Sequence, residues 1–315
     1  MRLSVPHGLD EDGALSAART AVPGQAFDLN HLYGPTGAGC EGDACWGAQA
    51  IGMQILPESA CGRGAPIAII DTPVDAGHPA LRDARVTVQN FLSDGARPSG
   101  EAHGTAIAAL LVGRATPGAK PLAPGARLLA AGAFRSIEGR SLADAVAVLR
   151  SIDWALGEGA RVIAMSFEGA PNATLAAAVK AVERTGASLV AAAGNGGPDA
   201  GPAYPAAYPE VLAVTAVDRR LRPYNRGTRG AYVEIAAPGV GIVSADGGGG
   251  SRRWSGSSFA VPFVAAALLR ARAETRGDAY AARRLLAGAA RDLGAPGRDF
   301  IYGHGLLQVP GDRCS

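Results

Sequence analysis

Short, wholly apolar runs recur along the chain, separated by longer stretches with helical patterning. Ile67 to Ile70, Arg127 to Ala133, Val162 to Met165, Leu189 to Ala192, Leu212 to Val217 and Tyr232 to Ile235 are such runs. Their length and lack of alternation predict strands buried on both faces. Between them, His103 to Val112 is apolar and alanine-rich. Ser141 opens a second helical stretch through Ala155, and Asn172 caps a third through Glu183. Ser257 to Ala271 and Asp278 to Ala290 are two more. Strand and helix alternate, which predicts βαβ units and a mostly parallel sheet covered on both sides. In such sheets chemistry collects beyond the carboxyl ends of the strands. No internal repeat or long linker divides the core. Residues 1–38 hold Pro23, Pro35, several glycines and one short helical pattern near Asp12 to Arg19. They read as an N-terminal extension, and residues 39–315 as one domain.

Composition narrows the class. Of 315 residues, 48% are hydrophobic and 18% charged, so the chain buries a large core and is not disordered. Net charge is +2 without a dense basic stripe, and aromatics are 5%, which argues against a nucleic-acid partner. Arg219, Arg220 and Arg222 read as a solvated turn. No apolar run approaches the ~20 residues of a membrane span, and the N-terminus lacks a signal h-region. The four cysteines point to an oxidising compartment. Cys40–Cys45 and Cys61–Cys314 are the favoured pairs, although four cysteines allow other connectivities. A metal site on the Cys40–Cys45 loop lacks the further ligands a tetrahedral set needs. The expected location is therefore extracytoplasmic, secreted or periplasmic.

Three segments carry candidate chemistry: IAIIDTP ending a strand, EAHGTAIA opening a helix and SGSSFAVP opening another. They supply Asp71, His103 and Ser258. Each alone has a plain structural reading, as a turn cap or a helix-start residue. Together they provide the orienter, base and nucleophile that acyl transfer needs. Asn195, in AAAGN after a strand, is placed to join them on the same sheet edge.

IAIIDTPVDAGHPAL, HGTAIAALLVG, VIAMSFEG, LVAAAGNGG, AYPAAYPEVLAVTAVD, VEIAAPG and SGSSFAVPFVAAALL resemble, in order, the signature segments of the subtilisin-like serine peptidases (subtilases). The resemblance covers about residues 46 to 272. It implies a three-layer α/β/α sandwich with a mostly parallel sheet of roughly seven strands, and serine endopeptidase activity on proteins or peptides. It also implies an oxyanion hole from the Asn195 side chain and the Ser258 backbone N–H. One pocket wall would be Ser166, Phe167 and Glu168, the other Ala192 to Gly194, with Ala203 near the floor. The Tyr204–Pro205 bond would be cis, as in relatives. The family usually carries an inhibitory prodomain; the extension is too short for a complete one, and DLNHLYGP reads as the end of one.

Departures from the family pattern matter as much. Phe259 stands where many relatives carry a peroxide-sensitive Met, so activity is expected to survive mild peroxide. Ala80 stands where calcium-binding relatives carry Asp, and the loop GRATPGAKPLAP has no Asn or Asp. The strong family calcium site is therefore expected to be absent, with no cofactor required; other calcium sites stay open. Glu168 replaces a common Gly and either attracts a basic residue before the scissile bond or points to solvent. Asn172-Ala-Thr reads as an incidental sequon, and Gly247 to Gly250 as a surface turn. Two other functions compete. A catalytically silent binding module of the same fold would more often have lost one of the four site residues. A lipase-type hydrolase needs a second glycine in its elbow and the order Ser, Asp, His.

Overall fold

The computed structural model describes residues 10–24, 27, 32–35, 38–39, 46–53, 66–93, 95–114 and 120–309. Its strands are β1 (Leu32–Pro35), β2 (Ala38–Gly39), β3 (Ile67–Asp71), β4 (Val86–Asn90), β5 (Leu128–Gly132), β6 (Phe134–Ile137) and β7 (Arg140–Asp144). They continue as β8 (Val162–Met165), β9 (Phe167–Glu168), β10 (Ser188–Ala192), β11 (Val211–Val217), β12 (Ile235–Pro238), β13 (Val240–Ala245) and β14 (Ser251–Ser255). The helices are α1 (Glu11–Ala21), α2 (Trp46–Ala50), α3 (Ala102–Val112), α4 (Ala145–Gly157), α5 (Ala173–Arg184), α6 (Ser257–Glu274) and α7 (Ala279–Ala289).

The central seven-stranded sheet has the order β12-β11-β10-β8-β3-β5-β4, and every pair in it is parallel. This is the expected α/β/α sandwich. Strand alternation divides the core. Ile67 and Ile69 join the cluster built on α3 and α6, while Ala68 and Ile70 join the cluster built on α4 and α5. Each large side chain fully buried there contributes about 1.5–3 kcal/mol. Helix α6 is buried on all sides, and its alanines 260, 265, 266 and 267 let it lie close against β8, β10, β11 and β12. The register sets the strand ends level. Asp71 pairs with Gly132, and Met165 pairs with Ile70 and Ala191, so Asp71, Ser166 and the 192–195 turn share one edge.

Two smaller sheets frame that edge. One has the order β6-β7-β1-β9 and the other β13-β14-β2. Neither was legible in the apolar pattern, and two element boundaries also differ from expectation. Ser141 does not cap α4; it lies in β7, and Asp144 is the cap, its Oδ1 accepting the Ala147 N–H at 2.9 Å. The strand expected at Tyr232 to Ile235 instead begins at Ile235 and ends at Pro238. The glycine run 247–250 is the turn between β13 and β14, closed by Asp246 Oδ1, which accepts from the Gly248 and Gly250 N–H groups. Asn172 caps α5 and is 3% exposed, a buried position for a sequon asparagine. Among the described residues, no helix is long and apolar enough to cross a membrane. The cysteine positions 40, 45, 61 and 314 lie outside the described residues.

Candidate active site

Asp71 is the last residue of β3, and His103 is in the first turn of α3. They meet because α3 packs closely on the turn after β3. The Gly104 N–H donates to Thr72 Oγ1 at 2.8 Å, and a Cβ on Gly104 would collide with the Thr72 carbonyl. That approach explains the glycine of HGT. His103 Nδ1 lies 2.6 Å from Asp71 Oδ1, which also accepts the Thr72 N–H at 2.6 Å. Asp71 is 1% exposed and His103 9% exposed. A carboxylate accepts, so Nδ1–H is the donor in this pair.

Ser258 is in the first turn of α6, after Gly256, whose φ of +148° is open to glycine alone. Its surroundings follow from Pro262, four residues on. Proline has no N–H, so the Ser258 carbonyl loses its intrahelical donor. Ser166, just past the end of β8, supplies a replacement: its Oγ donates to the Ser258 carbonyl at 3.3 Å, and Ser258 Oγ donates to the Ser166 carbonyl at 3.1 Å. The Phe259 ring meets the His103 ring edge-on at 5.3 Å and stacks on Trp254 at 5.0 Å. Arg252 lies 3.6 Å from the Trp254 ring centroid, and Trp254 Nε1 donates to the Ala245 carbonyl. The wall beside the imidazole is thus built of the Phe259 and Trp254 rings. Trp254 went unremarked in the sequence, where nothing marked it as a neighbour of His103.

Asn195 has its amide orientation fixed by a donor. The Ser257 N–H, which only donates, reaches Asn195 Oδ1 at 3.0 Å, and Ser257 Oγ reaches the same atom at 3.1 Å. Nδ2 therefore faces the other way, where it is buried with no hydrogen-bond partner among the described residues. A buried donor left unmade costs about 1–3 kcal/mol.

Of the expected pocket residues, Glu168, Gly194 and Ala203 meet. Gly194 has φ +108°, and a Cβ there would meet the Glu168 carboxylate, Thr228 Oγ1 and the Ala203 methyl. Glu168 does not turn to solvent: its Oε2 accepts the Asn195 backbone N–H at 3.1 Å. Burial pushes its carboxyl above the ordinary 4.5, against the Asn195 N–H and the Arg226 guanidinium, which favour the charged form. Tyr232 donates to the Ala193 carbonyl at 2.6 Å, and burial pushes its phenol up to about 12. Phe167 is fully buried against Phe134, and Ala192 ends β10. Tyr204–Pro205 is cis. Thr228 and Tyr232 were missed in the sequence because they lie more than thirty residues along the chain from the wall they complete.

Ala80 offers no side-chain oxygen, and its carbonyl accepts the Arg114 N–H at 2.8 Å. Among the described residues no three His, Cys, Asp or Glu side chains gather as a metal-binding group.

The structure thus brings Asp71 to His103 and Asn195 to the α6 start that carries Ser258, at one edge of the parallel sheet. Comparison with known proteins identifies the family. The family model described as "Subtilase family" matches residues 62–305. Thermitase from Thermoactinomyces vulgaris is 36% identical over 225 residues, covering 70% of this chain and 79% of the relative. A thermostable alkaline protease from Halalkalibacterium halodurans is 34% identical over 272 residues, covering 84% and 72%. The solved protease domain of PatA is 32% identical with a TM-score of 0.70, covering 81% and 95%. The chain belongs to the subtilase family and is a serine-type endopeptidase.

Proposed function

We propose that Ser258 is the nucleophile, His103 the general base, Asp71 its orienter, and Asn195 with the Ser258 backbone N–H the oxyanion hole. The observation that carries this reading is Asn195 Nδ2: a donor whose amide is held by Ser257, the residue before Ser258, and which is buried with no partner among the described residues. A developing oxyanion is the acceptor it lacks. In the first step Ser258 Oγ bonds to the scissile carbonyl carbon while its proton passes to His103 Nε2. The carbon–nitrogen bond then breaks, and that proton leaves with the amine. Water reverses the sequence and frees the acid. Ser166, Phe167, Glu168, Ala192, Gly194 and Ala203 line the pocket for the residue before the scissile bond. Fluorophosphonate labelling of wild type against Ser258→Ala tests the assignment. Labelling at Ser258 is expected; a folded wild-type protein that takes no label favours the silent-module reading instead.

Residues 1–38 are proposed as an inhibitory extension of the peptidase domain at 39–315. β1 runs antiparallel between β7 and β9, and β2 antiparallel to β14. β9 begins one residue after Ser166, and β14 ends three residues before Ser258. The two strands therefore flank the nucleophile on either side, the positions an extended substrate needs. Mass spectrometry is expected to find wild-type chains cut between Pro35 and Ala38 and Ser258→Ala chains intact; equal processing of both, or none, overturns it. The proposal also keeps protein or peptide substrates, an extracytoplasmic location, paired cysteines and independence of the strong calcium site. An unchanged melting temperature in EGTA is the expected result for the last.

A further inference from the structure

The pocket beside the nucleophile contains a carboxylate that the proposed chemistry does not use. Glu168 ends β9 and crosses the pocket to reach Asn195, the same residue whose side chain is assigned to the oxyanion. Glu168, the Thr228 hydroxyl and the Ala203 methyl converge on Gly194. Only the Asn195 N–H donates to the carboxylate among the described residues, and it engages one oxygen. The nearby cation, Arg226, is exposed to water, where its attraction is weakened. Tyr232 is bonded to Ala193 and Ala203, not to Glu168.

The position of this group relative to a substrate follows from connectivity. A carbonyl oxygen held at Asn195 Nδ2 and a carbonyl carbon at Ser258 fix the α-carbon of the residue before the scissile bond. In the proposed pocket, which the family resemblance places there, its side chain enters between the walls formed by 166–168 and 192–194. An apolar side chain entering there would strip water from Glu168 and return no hydrogen bond. Burying a charge that way is costly. An acidic side chain would add like-charge repulsion. A guanidinium or ammonium would supply the missing donors as charge-assisted hydrogen bonds.

We infer that Glu168 makes this peptidase select a basic residue, Arg or Lys, immediately before the scissile bond. The inference rests on the proposed role of Ser258 as nucleophile. Its test uses peptides identical except for Arg, Lys, Leu or Glu at that position, with wild type and Glu168→Gln. Gln keeps an oxygen for the Asn195 N–H and removes the charge. Wild type is expected to cleave the Arg and Lys peptides on the order of 10- to 100-fold better in kcat/KM than the Leu peptide, with the Glu peptide poorest. Glu168→Gln is expected to shrink the Arg-to-Leu ratio at least about tenfold. A wild type that prefers Leu, or a ratio unchanged by the substitution, overturns the inference. Fluorophosphonate labelling of the same wild-type sample separates the two layers. Label at Ser258 with a flat or apolar profile overturns the selectivity alone, and a folded protein without label overturns the function and the selectivity with it.

Discussion

The catalytic corner and the pocket wall adjoin at Gly194 and Asn195, yet they are held differently. At the corner, contacts are doubled. Ser258 and Ser166 bond each other in both directions, Asn195 Oδ1 takes two donors from Ser257, and Asp71 Oδ1 takes both His103 and the Thr72 N–H. At the wall, Glu168 is held by one backbone N–H and opposed by an exposed cation. Redundancy fits a site whose geometry must hold to a fraction of an ångström. A single adjustable contact fits a feature that sorts substrates. Rate and preference should therefore separate under mutation.

The largest effect expected is at the corner. Ser258→Ala should lower kcat on the order of 10⁶-fold for every peptide alike, with single-turnover assays showing no acyl-enzyme. A loss that depends on the residue before the scissile bond would mean that corner and wall are not separable. Asn195→Ala should cost about 10²–10³ in kcat with KM little changed, since its Nδ2 is called on only when charge develops. A KM effect as large as the kcat effect would move Asn195 from the corner to the wall.

Smaller effects probe how each region is held. Gly104→Ala forces a methyl against the Thr72 carbonyl and should destabilise by about 1–3 kcal/mol. It should also slow turnover by displacing His103; a lower melting temperature at full activity would show that the corner tolerates the shift. The smallest effect is electrostatic. Folded Glu168 holds its proton more tightly than the unfolded chain does, so the native state binds more protons between 4.5 and the raised value. Stability contributed by this group therefore falls as pH rises through that window. Arg226, Tyr232 and the Asn195 N–H are the groups facing it. In Glu168→Gln that slope should vanish, read as the difference between melting curves of variant and wild type across acid pH.

The corner was legible in the sequence and the wall only partly so, for physical reasons. Asp71, His103 and Ser258 each end or begin a regular element, and the run of apolar residues beside each one announces that element. A strand such as β3, buried on both faces, has a pattern that little else imitates. The framing strands did not. β7 and β14 are short, contain charged residues, and exist because β1, β6, β13 and β2 pair with them. Ser141 and Asp144 are both good helix caps, and strand pairing at Arg140–Asp144 decides between them. Glu168 was ambiguous because its direction depends on an N–H brought from twenty-seven residues away. Local pattern reveals elements; it does not reveal which side chain a distant backbone group will attract.

Pro262 has a mechanical consequence. A helix normally closes its hydrogen bonds on itself, so it turns or slides against its neighbours with little penalty beyond packing. Here one bond is exported from α6 to the residue just past the end of β8, at Ser258, the proposed nucleophile. The helix is keyed to the sheet at that point, as a shaft is keyed to its hub. Repacking along the distal turns of α6, around Leu268 and Leu269, is then free to alter stability while the serine keeps its angular setting. Replacing Pro262 by a residue with an N–H would return that bond to the helix and leave the Ser258 Oγ–Ser166 carbonyl bond to tie the pair.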